Sequence, residues 1–133
     1  MRPVSVFCVV TLGLSALPAA AQEVDCAKAE VQVELTYCAE QDWMRADAEL
    51  NDAYKAAMAV LKAVDGGLEP ADRGAVVNLR NAQRAWITFR DAACAAEGYQ
   101  MHGGSAEPML IYGCRARLTE ARVADLQYIS EAN

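Results

Sequence analysis

Apolar and small residues recur three or four positions apart at Leu35, Cys38, Trp43, Ala46, Leu50, Ala53, Tyr54, Ala57, Leu61 and Val64. Glu40, Asp42, Arg45, Glu49, Asp52, Lys55 and Lys62 fall between them. That spacing predicts a long amphipathic helix, ended by Asp65-Gly66-Gly67. Pro70 then opens a second helix, to about Ala96, at a first-turn position that tolerates proline. Val76, Leu79, Ala82, Trp86, Phe89 and Ala93 would share its buried side. A third helix, from about Pro108 to Glu131, would bury Leu110, Ile111, Cys114, Leu118, Ala121, Ala124 and Tyr128. No segment shows the alternation or β-branched richness of a strand, and the alanine bias suits helices. Short connections make consecutive helices antiparallel neighbours, so the expected fold is all-α: an antiparallel three-helix bundle running up, down and up.

The N-terminal stretch MRPVSVFCVVTLGLSALPAAA breaks this periodicity. A basic start at Arg2, an apolar run from Val4 to Leu17 and the small residues Ala19 to Ala21 make residues 1–21 an expected secretory leader, cleaved before Gln22. The run is too short for a membrane span, and Cys8 lacks the small upstream neighbours of a lipid-attachment cysteine. A single periplasmic or secreted domain, residues 22–133, would remain. It would carry 11 basic against 18 acidic residues, a net charge of about −7 with His102 neutral. Nucleic acid and anionic lipid are then poor partners, membrane insertion is not expected, and a basic protein is a better match.

Four cysteines stay with that domain: Cys26, Cys38, Cys94 and Cys114. In an exported chain this reads as two disulfides, with three possible pairings. Pairing Cys26 with Cys38 and Cys94 with Cys114 is favoured because each closes a local segment. The second pair lies close together if the second and third helices form a hairpin. The first pair makes a stronger demand. Twelve residues of unbroken helix would hold its Cα atoms roughly 18 Å apart, whereas a disulfide allows about 7 Å. The chain must therefore fold back before the long helix, in a region where Val31, Val33 and Thr36 weaken helix propensity.

Candidates for chemistry are few. His102 is the sole imidazole, on a glycine-flanked loop ill suited to holding a base. There is no Cys-x-x-Cys, glycine-rich phosphate loop or pair of histidines at metal-ligand spacing. Met101, His102 and Met109 make only a weak soft-metal set. No catalytic residue, metal or cofactor is expected, and the chain reads as non-catalytic. Asp47 and Asn51 flank the first stripe, with Arg90 and Arg122 positioned to reach Asp47 across helix interfaces. Such a network would fix helix register. Trp43 and Trp86 fall inside apolar stripes and read as core.

The runs DAELNDAY (Asp47 to Tyr54), RNAQRAWITFRDAAC (Arg80 to Cys94), GGS (Gly103 to Ser105) and CRARLTEARVADL (Cys114 to Leu126) together resemble the LprI-type lysozyme inhibitor family. The resemblance covers about Cys26 to Leu126. It implies a helical envelope protein and, for the member that names the family, inhibition of lysozyme. Lysozyme cleaves glycans with two carboxylates in a cleft, and animal lysozymes are basic outside it, so an acidic domain would be steered toward them. The loop from Glu97 to Glu107, between the second and third helices, is the candidate inserting element. Tyr99, His102 and Ser105 offer hydrogen bonds there, and Gly103-Gly104 permits close backbone approach. The same residues also suit an ordinary turn and helix start. The alternative function is an envelope interaction or structural module without lysozyme inhibition.

Overall fold

In a computed structural model that describes residues 24–131, three helices account for most of the chain: α1 (Gln32–Gly67), α2 (Ala75–Gly98) and α3 (Glu107–Glu131). Short 3₁₀ turns at Cys26–Lys28, Pro70–Asp72 and Tyr99–Met101 precede or join them, and no strand occurs among the described residues. The leader expected over residues 1–21 lies outside the described residues. None of the described helices is long and apolar enough to cross a membrane.

Helix directions follow from the cross-contacts. Gln32 meets Met109 and Arg45 meets Glu120, so α1 and α3 run in parallel. Asp65 meets Gly74 and Asp47 meets Arg90, so α2 runs against α1. The arrangement is up, down and up, as the short connections require. Packing is uneven, however. α3 lies along α1 over most of its length, whereas α2 touches α1 sparsely and leans on α3.

Both disulfides join the pairs that local closure favours. Cys26 and Cys38 stand 5.6 Å apart at Cα and Cys94 and Cys114 5.4 Å apart. For the first pair the fold-back is made by the 3₁₀ turn at Cys26–Lys28, where Asp25 accepts from the Ala27 N–H, and by extended backbone at Ala29 and Val31. Val33 and Thr36, expected near the break, lie inside α1 instead. The 3₁₀ turn and the extended residues before the helix suffice to turn the chain, and β-branched side chains cost an established helix little.

Two boundaries and two stripes differ from expectation. Pro70 begins a separate 3₁₀ turn, and α2 starts at Ala75 and continues to Gly98. On α2 the buried positions are Leu79, Gln83, Arg90, Cys94 and Gly98, while Ala82 is exposed and Phe89 is 60% exposed. On α3 they are Cys114, Ala116, Thr119, Val123 and Leu126, while Ala121 and Ala124 are exposed and Tyr128 is 75% exposed. The seams use small and polar residues that a ranking by apolar size passes over. Ala46, Ala57 and Ala116 let backbones approach, and Gln83, Arg90 and Thr119 are buried beside them. The apolar centre is Leu50, Ala53, Ala57, Leu79, Val123 and Leu126, bordered by Tyr54, Met58, Leu61, Trp86 and Ile129. Trp86 is half-buried at its edge rather than enclosed, and Trp43 is half-buried beside Arg90, Tyr112 and Arg115.

Candidate functional site

The chain between α2 and α3 begins where Cys94 and Cys114 tie the two helices together. One turn later Gly98 lets them cross closely: a Cβ there would stand 2.6 Å from Ile111 Cγ1. The 3₁₀ turn at Tyr99–Met101 follows, closed by the His102 N–H donating to the Tyr99 carbonyl at 3.2 Å. Gly103 then takes φ 75°, a left-handed conformation that suits glycine. The Gly104 N–H donates to Met101 O at 2.9 Å, and the Glu107 N–H to Gly104 O at 3.2 Å.

Glu107, the first residue of α3, reaches back over this turn. Its carboxylate accepts the Gly103 N–H at 2.8 Å and lies 3.1 Å from His102 Nδ1. The Gly103 N–H first, and then His102, hold the Glu107 carboxyl below the usual range. Tyr99 stacks on His102 with ring centroids 4.3 Å apart and 3° between planes. The segment is therefore a compact turn, not slack chain, and the imidazole is held between a ring and a carboxylate. Tyr99 is nonetheless 66% exposed and Met101 52%. His102, Gly103, Gly104 and Ser105 are exposed beside them, so all five candidate contact residues face outward together.

Concavities flank the turn on both sides. One, of about 520 Å³, is bounded by Gly103, Gly104, Tyr112 and Arg115. The other, of about 560 Å³, is bounded by Ser105 with Val33, Tyr37 and Glu40 of α1.

The polar positions on the helix flanks form two groups. Arg90, 7% exposed, lies between the Trp43 and Trp86 rings at 5.7 and 5.2 Å. Its guanidinium meets Asp47 at 3.5 Å and Asp91 at 3.0 Å, and the Asn51 amide donates to the Asp47 carbonyl at 2.8 Å. Arg122 does not join them: it donates to Gln83 Oε1 at 3.1 Å and lies 3.6 Å from Asp125. Sequence reasoning missed the members contributed by α3. Arg115 lies 5.0 Å over Trp43, and Tyr112 stacks on the same indole at 5.7 Å. A hydrogen bond with Glu40, then burial, pushes the Tyr112 hydroxyl up from its ordinary pKa. Both residues lie one turn or less from Cys114, a placement that becomes informative once that cysteine is known to face α2.

Chemically, the turn offers hydrogen-bond donors, acceptors and stacked rings. His102 and Glu107 form a two-member pair with no thiol beside it, because the four described cysteines are in disulfides. Among the described residues no cluster of three or more His, Cys, Asp or Glu could hold a metal ion.

Comparison with known proteins adds to this geometry. The family model of the lysozyme inhibitor LprI matches residues 25–126. The chain belongs to the LprI family. The LprI match spans both disulfides, the turn and both polar groups. A protein from Rhizobium meliloti (strain 1021), described as uncharacterized, is 47% identical over 120 residues, 86% of each chain. No solved structure matches the chain. Membership of a lysozyme inhibitor family implies a protein partner, and LprI membership with two disulfides is consistent with an extracytoplasmic location.

Proposed function

We propose that the chain is an exported, non-catalytic inhibitor that binds a lysozyme-like glycan hydrolase and occludes its cleft with the turn of residues 97–107. The match to LprI carries this reading. The turn's shape supports the choice of contact element. It is narrow, fixed at its base by Cys94–Cys114 and internally fastened by Glu107, so little conformational entropy would be lost on insertion. Tyr99, His102 and Ser105 would supply polar contacts, and Gly103 and Gly104 the close backbone approach. The domain expected at residues 22–133, with its net charge of about −7, would be steered toward a basic enzyme.

The test is turnover of cell-wall substrate by a basic lysozyme, with and without the oxidised chain at micromolar concentration. Inhibition that weakens as salt rises, and that disappears when Tyr99 to Ser105 are replaced by a Gly-Ser linker, is the expected outcome. Unimpeded turnover across several lysozyme types at low salt would refute the reading and leave an envelope interaction module. Inhibition that survives the linker replacement would move the contact to a helix face.

A further inference from the structure

Charge is segregated along α2 in a way that the overall acidity conceals. From Arg73 to Arg90 the chain carries four arginines, Arg73, Arg80, Arg84 and Arg90, and no acidic residue between Asp72 and Asp91. Because α2 touches α1 only sparsely, an open groove of about 480 Å³ lies between them. Arg80 and Arg84, one helical turn apart, stand on one wall, with Arg90 nearby. Asp47 also lines the groove, its carboxylate paired with Arg90 and Asn51. Asn51, Tyr54 and Gln83, whose Oε1 is held by Arg122, supply further polar groups, and Leu50 and Ile87 supply apolar surface.

The arginines differ in their commitments. Arg90 is balanced by Asp47 and Asp91, Arg45 by Asp42 and Glu49, Arg115 by Asp91, Arg117 by Glu97, and Arg122 by Asp125. Arg73 donates to the Leu68 carbonyl. Neither Arg80 nor Arg84 has a side-chain hydrogen bond or ion pair among the described residues, yet both line the same groove. Two uncommitted guanidiniums one turn apart can present paired N–H donors to an oxyanion. The cavity lies within the range of small-ligand sites, and amides beside apolar walls suit a hydroxylated ring. The residues lining the groove also fall within the runs Asp47 to Tyr54 and Arg80 to Cys94, which carry the family resemblance.

We propose that this groove binds a small sugar bearing an oxyanion, with Arg80 and Arg84 holding the charged group and Asn51 and Gln83 facing the ring hydroxyls. The site is separate from the turn: Arg80 and Arg84 lie roughly 20 to 27 Å along α2 from Gly98. Its uncommitted positive charge would also disfavour a basic protein on this face. The inference does not depend on lysozyme inhibition.

The test is titration of the full oxidised chain, at low salt, with glucuronate, glucose 6-phosphate and glucose, followed by backbone amide chemical shifts. Saturable shifts concentrated at residues 50–54 and 80–87 with at least one of the two acids, and none with glucose, are expected. A response to glucuronate alone or to glucose 6-phosphate alone supports the site and identifies the oxyanion as carboxylate or phosphate. Arg80→Ala with Arg84→Ala should weaken binding by at least about tenfold. Both side chains are exposed, so the variant should keep its Tm. Arg73→Ala, outside the groove, should leave binding unchanged. No saturable shift with either acid, equal weakening by Arg73→Ala, or binding untouched by the double substitution would overturn the proposal.

Discussion

The two connections between helices solve the same problem with different chemistry. Between α2 and α3, a disulfide closes the base and Glu107 reaches backward from the start of α3 to the Gly103 N–H. Between α1 and α2 there is no covalent tie. There Asp65, in the last turn of α1, reaches forward and accepts the N–H groups of Gly74, Ala75 and Val76 at 3.0, 2.9 and 3.0 Å. Gly74 has no side chain with which to cap α2, so a carboxylate nine residues earlier serves as the cap. In each case one carboxylate organises a connection. Only at the α2–α3 end is that organisation backed by a covalent tie, and only there do exposed candidate contact groups cluster.

The sharpest break of this comparison removes the covalent tie. Replacing Cys94 and Cys114 together by serine frees a loop of 20 residues and should cost about 3 kcal/mol, seen as a lower denaturant midpoint. If the loss were negligible, helix packing alone would hold the α2–α3 end, and the contrast between the two connections would vanish. Next in size is Gly98→Ala, whose new Cβ would collide with Ile111; overpacking of this kind costs about 1–3 kcal/mol. Ile111→Ala should cost less in the Gly98→Ala background than in the parent chain, since the two changes act on one contact.

How much of this could be read from the sequence depends on which physical signal each feature leaves. The helices and their order follow from apolar spacing and short connections, and both disulfides from the pairing that closes local segments, with the reach of a cystine then requiring the fold-back before α1. The buried faces of α2 and α3 do not, because apolar size mispredicts them. Phe89 and Tyr128 point outward while Gln83, Arg90 and Thr119 are enclosed, and nothing local in the sequence announces that. For the candidate turn, Gly103-Gly104 signals a bend, but the back-reach of Glu107 requires knowing that α3 begins there. Arg122 shows the same limit: its position on α3 permits a partner on α1, and helix placement gives it Gln83 on α2 instead. Asp65 left no helix-cap signature, since its partners lie 9 to 11 residues onward across a separate turn.

The Asp65 cap yields the third prediction. Hydrogen bonds from Val76, Gly74 and Ala75 hold its carboxyl below the ordinary value. A carboxylate depressed in the folded state stabilises it fully above its unfolded pKa and loses that contribution as pH falls through the folded value. Asp65→Asn should therefore lower Tm by a few degrees near neutrality, and the gap from the parent chain should narrow as pH drops below about 4. A gap independent of pH would mean that the side chain acts through shape and not charge.

The smallest effect uses the substitution made at Gly98, moved to the other end. Gly66 lies in the last turn of α1 at a conformation any residue can adopt, and a Cβ there meets nothing within 4 Å. Gly66→Ala should then raise stability by about 0.5 kcal/mol, because alanine loses less backbone freedom on folding and favours the helix. The same chemical change thus carries opposite signs at the two connections, set by whether α3 crosses close by. Denaturant midpoints for the two alanine variants would show it directly. Similar losses at both sites would mean that the last turn of α1 needs glycine for its path, and that the α1–α2 connection is as tightly specified as the one closed by a disulfide.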